Sequence, residues 1–259
     1  MAVAPDSAWR TRLRAFFSPQ IDDLVLQDAL GQLRHGLPPP VIWLFGKVQV
    51  GKTSIIRALT GAESAQIGAG FAPCTRWAQR YDFPSPDYPL AVFLDTRGLG
   101  EAGYDPQEDV AEFQAQAHML LVVVKAMDMA LEQLLSAVQT ITQAQPGWPV
   151  VVAQTTLHEG YPADWQDHMT PYPFTPEQFP GSVPSDLARA LAFQRSLFDN
   201  IRVARFVPLD FTLPEDGFGD AEYGRDALLD AIAEAHPHAV YHTLRQLPEL
   251  TSELKSVHF

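Results

Sequence analysis

Short apolar runs alternate with stretches of helical period through most of this chain. Val41–Phe45, Leu90–Leu94, Met119–Val124, Val150–Ala153 and Val203–Leu209 are nearly continuous in Val, Ile, Leu, Phe and Trp. Such runs predict strands buried on both faces. Between them, Lys52–Leu59, the spacing of Leu131, Leu134, Leu135, Val138 and Ile141, Asp186–Asn200 and Arg225–Ala235 predict helices, and Gln79–Phe83 is a candidate edge strand. Strands and helices in alternation predict an α/β fold, a mainly parallel sheet with helices on both faces.

Residues 8–37 are also helical in pattern, and Pro38, Pro39 and Pro40 then break the chain. This divides it into an N-terminal helical extension (1–37), a main domain (38–236) and a C-terminal helical tail (237–259), with Pro237 expected to interrupt any helix there. From Thr155 to Pro184 the chain is rich in proline and aromatics without a period, which predicts a packed or functional loop. Asp128 is expected to cap a helix beginning at Met129. His236, His238 and His242 lack the Cys or carboxylate partners that a metal site needs.

Charge and cysteine content narrow the setting. The 259 residues hold 18 Lys and Arg against 31 Asp and Glu, a formal charge of −13, which repels phosphate backbones and counts against nucleic acid as the main partner. Cys74 has no second cysteine to pair with in this sequence, and the apolar runs fall far short of a membrane span, so a cytoplasmic protein is expected. Near the N-terminus Trp9, Leu13, Phe16 and Phe17 interleave with Arg10, Arg12 and Arg14. That stretch either packs on the main domain or makes peripheral contact with an anionic membrane or a partner.

The candidate chemistry starts directly after the first strand. Gly46-Lys47-Val48-Gln49-Val50-Gly51-Lys52-Thr53 fits G-x-x-x-x-G-K-[ST], and Ser54 opens the following helix. The glycines let backbone N–H groups turn inward around phosphate oxygens, and the helix N-terminus adds its positive end. Lys52 is placed to reach the outer phosphates, and the Thr53 hydroxyl to take one position on Mg²⁺. Asp95-Thr96-Arg97-Gly98 follows the second predicted strand, 42 residues after Thr53. Its aspartate can hold Mg²⁺ through a water, and the Gly98 N–H can face a γ-phosphate. Between the two, Pro73-Cys74-Thr75-Arg76 offers the Thr75 hydroxyl to Mg²⁺ when a triphosphate is present. Cys74 has no neighbouring histidine to activate it.

This order of motifs resembles the Era/TrmE-type, translation-factor-class GTPases and is similar to dynamin-like and interferon-inducible GTPases, over about residues 41–236. The resemblance implies a Ras-like P-loop G domain, GTP and GDP as ligands, Mg²⁺ as cofactor, and an effector or a second copy engaged through the switches. Three positions depart from the pattern. Leu99 stands where Ras-like relatives carry the water-orienting glutamine, a substitution the Era/TrmE group shares. Gln49 stands where potassium-activated relatives carry asparagine, which leaves K⁺ a candidate cofactor. The base-reading N/T-K-x-D corresponds to Thr155-Thr156-Leu157-His158, so the paired acceptors for guanine are lost, at a cost of roughly 2–3 kcal/mol in guanine preference. Thr155, Thr156 and His158 are candidate base contacts, and Glu159 is a candidate substitute for the aspartate; a plain strand end capped by Thr155-Thr156, with His158 facing solvent, is the other reading. The final motif aligns with Val207–Thr212, where a backbone N–H near Phe211 would meet the guanine O6.

The expected function is a slow GTPase acting as a nucleotide-dependent switch, with Lys52, Thr75 and Gly98 nearest the chemistry. The alternatives are a nucleotide-holding scaffold without turnover and an ATP-hydrolysing relative.

Overall fold

The computed structural model describes residues 39–60, 78–83, 91–96, 98–99, 113, 116–174, 179–212 and 217–246. Its elements in chain order are β1 (Val41–Gly46), α1 (Lys52–Thr60), β2 (Ala78–Phe83), β3 (Ala91–Thr96), β4 (Met119–Lys125), α2 (Glu132–Ala144), β5 (Val150–Thr155), a 3₁₀ turn (Leu157–Gly160), α3 (Ser185–Leu197), β6 (Val203–Pro208), β7 (Asp210–Phe211), β8 (Glu222–Tyr223) and α4 (Arg225–Gln246).

Six strands form one sheet in the order β2-β3-β1-β4-β5-β6. Five are parallel, and β2 closes one edge by pairing antiparallel to β3. This is the α/β arrangement that the alternating pattern predicts and the Ras-like fold that the resemblance implies. Continuous apolar strands follow from it, because alternate side chains feed two different cores. One face buries Ile42, Leu44 and Leu121 with Ile55 and Ile56 of α1 and Leu228 and Ile232 of α4. The other buries Trp43, Phe45 and Leu120 with Leu134, Val138 and Ile141 of α2. The carboxyl ends of β1, β3, β4 and β5 therefore meet on one edge, where an open α/β sheet binds ligands.

Four expectations are corrected. β3 and β5 run further than their apolar cores, through Asp95-Thr96 and through Gln154-Thr155, because polar side chains at a strand end are tolerated once the backbone ladder is paired. α2 begins at Glu132 and Leu131 occupies its cap, with no side-chain bond. Asp128 instead accepts from the Ala130 N–H at 3.0 Å and from Lys47 Nζ at 2.7 Å, so its carboxylate is spent on the phosphate loop rather than on a helix end. α4 continues through Pro237 to Gln246 without a break at the expected boundary of 236 and 237. One lost N–H bond does not end a helix whose preceding turns are fixed by buried Leu228, Leu229, Ile232 and Ala235.

The aperiodic interval after β5 is a packed loop. Leu157, Met169, Phe174 and Val183 join Leu187 and Leu191 of α3 and Tyr223 of β8 in a third, smaller core. The N-terminal extension and Thr75 lie outside the described residues.

Candidate functional site

The loop between β1 and α1 wraps a cavity of about 620 Å³ at the carboxyl edge of the sheet. Its backbone takes conformations that the motif's glycines permit: Gly51 sits at φ +92°, and Gln49 at φ 57° accepts the left-handed region as a non-glycine residue. Gly46 is required for a different reason. A Cβ there would lie 2.4 Å from the Val123 carbonyl oxygen of the neighbouring strand.

Lys52 is 8% exposed, and its Nζ donates to the carbonyls of Lys47 (2.9 Å) and Gly46 (3.4 Å), so the ammonium is folded back onto the loop it serves. The Thr53 hydroxyl donates to Asp95 Oδ2 at 3.4 Å, which brings together the two described residues expected at Mg²⁺. Two hard oxygen donors at the loop's end fit a small divalent cation that keeps most of its ligands as water and phosphate oxygens. Lys47 points away from the cavity, to Asp128 at 2.7 Å and the Ala130 carbonyl at 2.5 Å. Val48 and Gln49 are exposed, Val50 is buried, and Ser54 joins the cavity wall.

Gly98 and Leu99 close onto the same loop. The Leu99 N–H donates to the Gly46 carbonyl at 3.1 Å, and the Val48 N–H donates to the Leu99 carbonyl at 3.2 Å. A Cβ on Gly98 would lie 2.4 Å from the Val48 nitrogen, so only glycine fits this approach. The Leu99 side chain is 5% exposed and packs beside Trp43 and Phe113, where it orients no water.

Across the cavity, Thr155 and Thr156 play different parts. The Thr155 hydroxyl lies within hydrogen-bond distance of the carbonyls of Val50 (2.8 Å) and Val124 (3.1 Å), tying the phosphate loop to β4 and β5. Thr156 takes a left-handed conformation at φ 54°, and its Oγ1 is buried with no partner among the described residues. Both threonines and Phe211 line the cavity, whereas His158 and Glu159 do not. Glu159 is ion-paired to Lys125 at 2.8 Å. His158 is held by Asp210. Its backbone N–H donates to Oδ2 at 2.7 Å, and its Nδ1 lies 2.8 Å from Oδ2 and 2.9 Å from Oδ1.

Asp210, which lies outside the cavity wall and holds His158, is the contact that reading the sequence missed. It is fully buried, and burial pushes its carboxyl above the ordinary carboxylate range, opposed by the donors of His158. A lone carboxylate following Val207-Pro208-Leu209 was the available signal, since a buried acid needs donors aimed at it.

A phosphate loop before a helix, a lysine at its end, and a threonine of α1 converging with an aspartate of β3 make the arrangement of the P-loop class. Residues 41–155 match the family of 50S ribosome-binding GTPases. The match covers less than half of the chain and is a likeness to the GTPase domain of that family.

The Uncharacterized protein YfjP of Escherichia coli (strain K12) is 31% identical over 114 residues, covering 43% of this chain and 38% of that protein. Translation initiation factor IF-2 of Bdellovibrio bacteriovorus is 28% identical over 189 residues, 70% of this chain and 18% of the factor. The chain thus spans well under two thirds of either relative. Among solved structures, Toc33 from Arabidopsis thaliana in complex with GDP and Mg²⁺ is similar at 17% identity with a TM-score of 0.49, over 82% of this chain and 92% of that one. A probable GTP-binding protein engB is similar at 15% identity with a TM-score of 0.48, over 76% and 98%. Likeness this distant carries nothing about function. Among the described residues no helix is long and apolar enough to cross a membrane.

Proposed function

We propose that this chain binds GTP with Mg²⁺, hydrolyses it slowly to GDP, and acts as a nucleotide-dependent switch. The observation that carries the proposal is the convergence of Lys52, Thr53, Asp95 and Gly98 around one cavity behind an intact phosphate loop. Thr53 and Asp95 would hold Mg²⁺, with Thr75 as a third contact when triphosphate is present, and the ion would supply positive charge that offsets part of the phosphate charge. Lys52 would exchange the loop carbonyls for phosphate oxygens, and the loop's backbone N–H groups would stabilise charge on the transferring phosphoryl group. Asp95, the carboxylate among the described residues of the cavity wall, is assigned to Mg²⁺ and Leu99 is buried, so water attack relies on positioning and is slow.

The Phe211 backbone and the Thr156 hydroxyl would meet the base; both residues line the cavity, and Thr156 Oγ1 has no partner among the described residues. Guanine preference is retained but reduced, because neither group supplies the two acceptors that guanine's paired donors need. A cytoplasmic setting belongs to the proposal and is supported by one cysteine in 259 residues.

GTP turnover by the purified protein, with Mg²⁺ and with K⁺ or Na⁺, tests this reading. We expect turnover above background in wild type and none in Lys52→Ala. Equal turnover in both would overturn the assignment, and tight binding without turnover in any salt would make the chain a nucleotide-holding scaffold.

A further inference from the structure

The loop between β5 and α3 folds around a histidine. His168 is 8% exposed, and its ring is stacked between Phe218 (4.7 Å, 19°) and Tyr223 (4.4 Å, 13°). Its Nδ1 lies 3.0 Å from the Tyr161 hydroxyl. Both faces and one nitrogen are therefore taken. Nε2 is buried and has no hydrogen-bond partner among the described residues.

His168 stands in the wall of a second cavity of about 860 Å³, which shares no lining residue with the phosphate-loop cavity. Met169, Pro171 and Pro173 give it an apolar lining. Asp164, Trp165 and Asp167 are exposed in the same wall, and no cation among the described residues is ion-paired to either carboxylate. Trp165 is braced by Tyr161, with ring centroids 5.6 Å apart.

Each feature selects the same chemistry. Two unpaired carboxylates beside an indole face attract a cation and repel an anion. The apolar lining takes hydrocarbon. A buried ring nitrogen with no partner is completed by a group that hydrogen-bonds to it. Burial lowers the His168 pKa, which favours the neutral ring; in the tautomer whose Nδ1–H donates to the Tyr161 hydroxyl, Nε2 accepts. We propose that the cavity walled by His168, Trp165 and Met169, with Asp164 and Asp167 at its rim, is a second binding site for a protonated amine carried on an apolar body. A free amine or a lysine side chain presented by a peptide has this chemistry.

The test uses the full chain with ¹⁵N-labelled indoles, the Trp165 signal being assigned with Trp165→Phe. The probes are phenethylamine, 2-phenylethanol with the same body and no charge, 3-phenylpropionate with the opposite charge, and a capped Phe-Lys dipeptide. Because the chain carries −13 overall, attraction of any cation is expected, and local variants decide the site. We expect phenethylamine to shift the Trp165 indole N–H saturably and to bind at least about tenfold more tightly than the alcohol, a difference of about 1.4 kcal/mol. The carboxylate should not bind. Asp164→Asn with Asp167→Asn, both at exposed positions, should lower phenethylamine affinity by about tenfold or more, and added salt should weaken it. A dipeptide that binds more tightly than phenethylamine supports the site with a presented lysine as its ligand; the reverse order supports it with a free amine. No saturable shift at Trp165, equal binding of the alcohol, or unchanged affinity in the double variant would overturn the proposal.

Discussion

Gly98→Ala measures how firmly the Gly98-Leu99 segment is zipped onto the phosphate loop. The added Cβ would lie 2.4 Å from the Val48 nitrogen and 2.7 Å from both the Lys47 carbonyl carbon and the Val48 Cα. All three are backbone atoms, so no side chain can swing away and the two segments must part. Overpacking of this kind costs about 1–3 kcal/mol. Parting also breaks the Leu99-to-Gly46 and Val48-to-Leu99 bonds, each worth about 0.5–1.5 kcal/mol. A relaxed loop escapes the clash by giving up the bonds, so the terms do not add in full and we expect a loss of about 2–4 kcal/mol. Urea unfolding gives the loss, and amide exchange at Val48 and Leu99 locates it. Gly181→Ala, where a Cβ meets nothing within 4 Å, is the control. A loss under about 0.5 kcal/mol, the size of an ordinary surface change, with both amides still protected would refute the closure.

Three further outcomes follow from the same geometry. Gly46→Ala, whose Cβ would press 2.4 Å from the Val123 carbonyl, should abolish nucleotide binding and cost about 1–3 kcal/mol by urea titration. Glu159→Ala should leave the GTP-to-ATP affinity ratio within about twofold, because Glu159 is paired to Lys125 outside the cavity wall and an exposed pair is worth about 0–1 kcal/mol; a collapse of the ratio would show that Glu159 reads the base. Burial holds the His168 pKa below its ordinary 6.5, so just below that pH the unfolded chain binds a proton that the fold refuses, and stability falls as pH drops through the window. His168→Phe keeps a ring in the stack and removes the proton, so the difference in urea midpoint between pH 7.5 and pH 5.5 should shrink; parallel pH profiles for the two proteins would contradict this.

The sheet was legible because its strands are contiguous and apolar, as burial on two faces demands, and the phosphate loop because its chemistry sits in eight consecutive residues. What the sequence hid depends on residues far apart. Lys47 and Asp128 are 81 positions apart, and nothing local shows that the lysine is turned from the phosphates. His158 and Asp210 are 52 apart, so His158 could be read as facing solvent or base but not as held by a buried carboxylate. The two-residue strands β7 and β8 are too short for a period to mark. Leu99 was legible as a missing glutamine, but its anchoring among Trp43 and Phe113 needed the tertiary fold.

The central claim is that this cavity takes GTP, with the phosphates supplying most of the affinity. Titrating GTP, GDP, ATP and ADP against the purified protein in Mg²⁺, beside Lys52→Ala, tests it most directly. The account predicts tight binding of GTP and GDP, weaker but measurable binding of ATP and ADP, and a large loss of all four in Lys52→Ala. No binding of any nucleotide, or affinities that Lys52→Ala leaves unchanged, would contradict it.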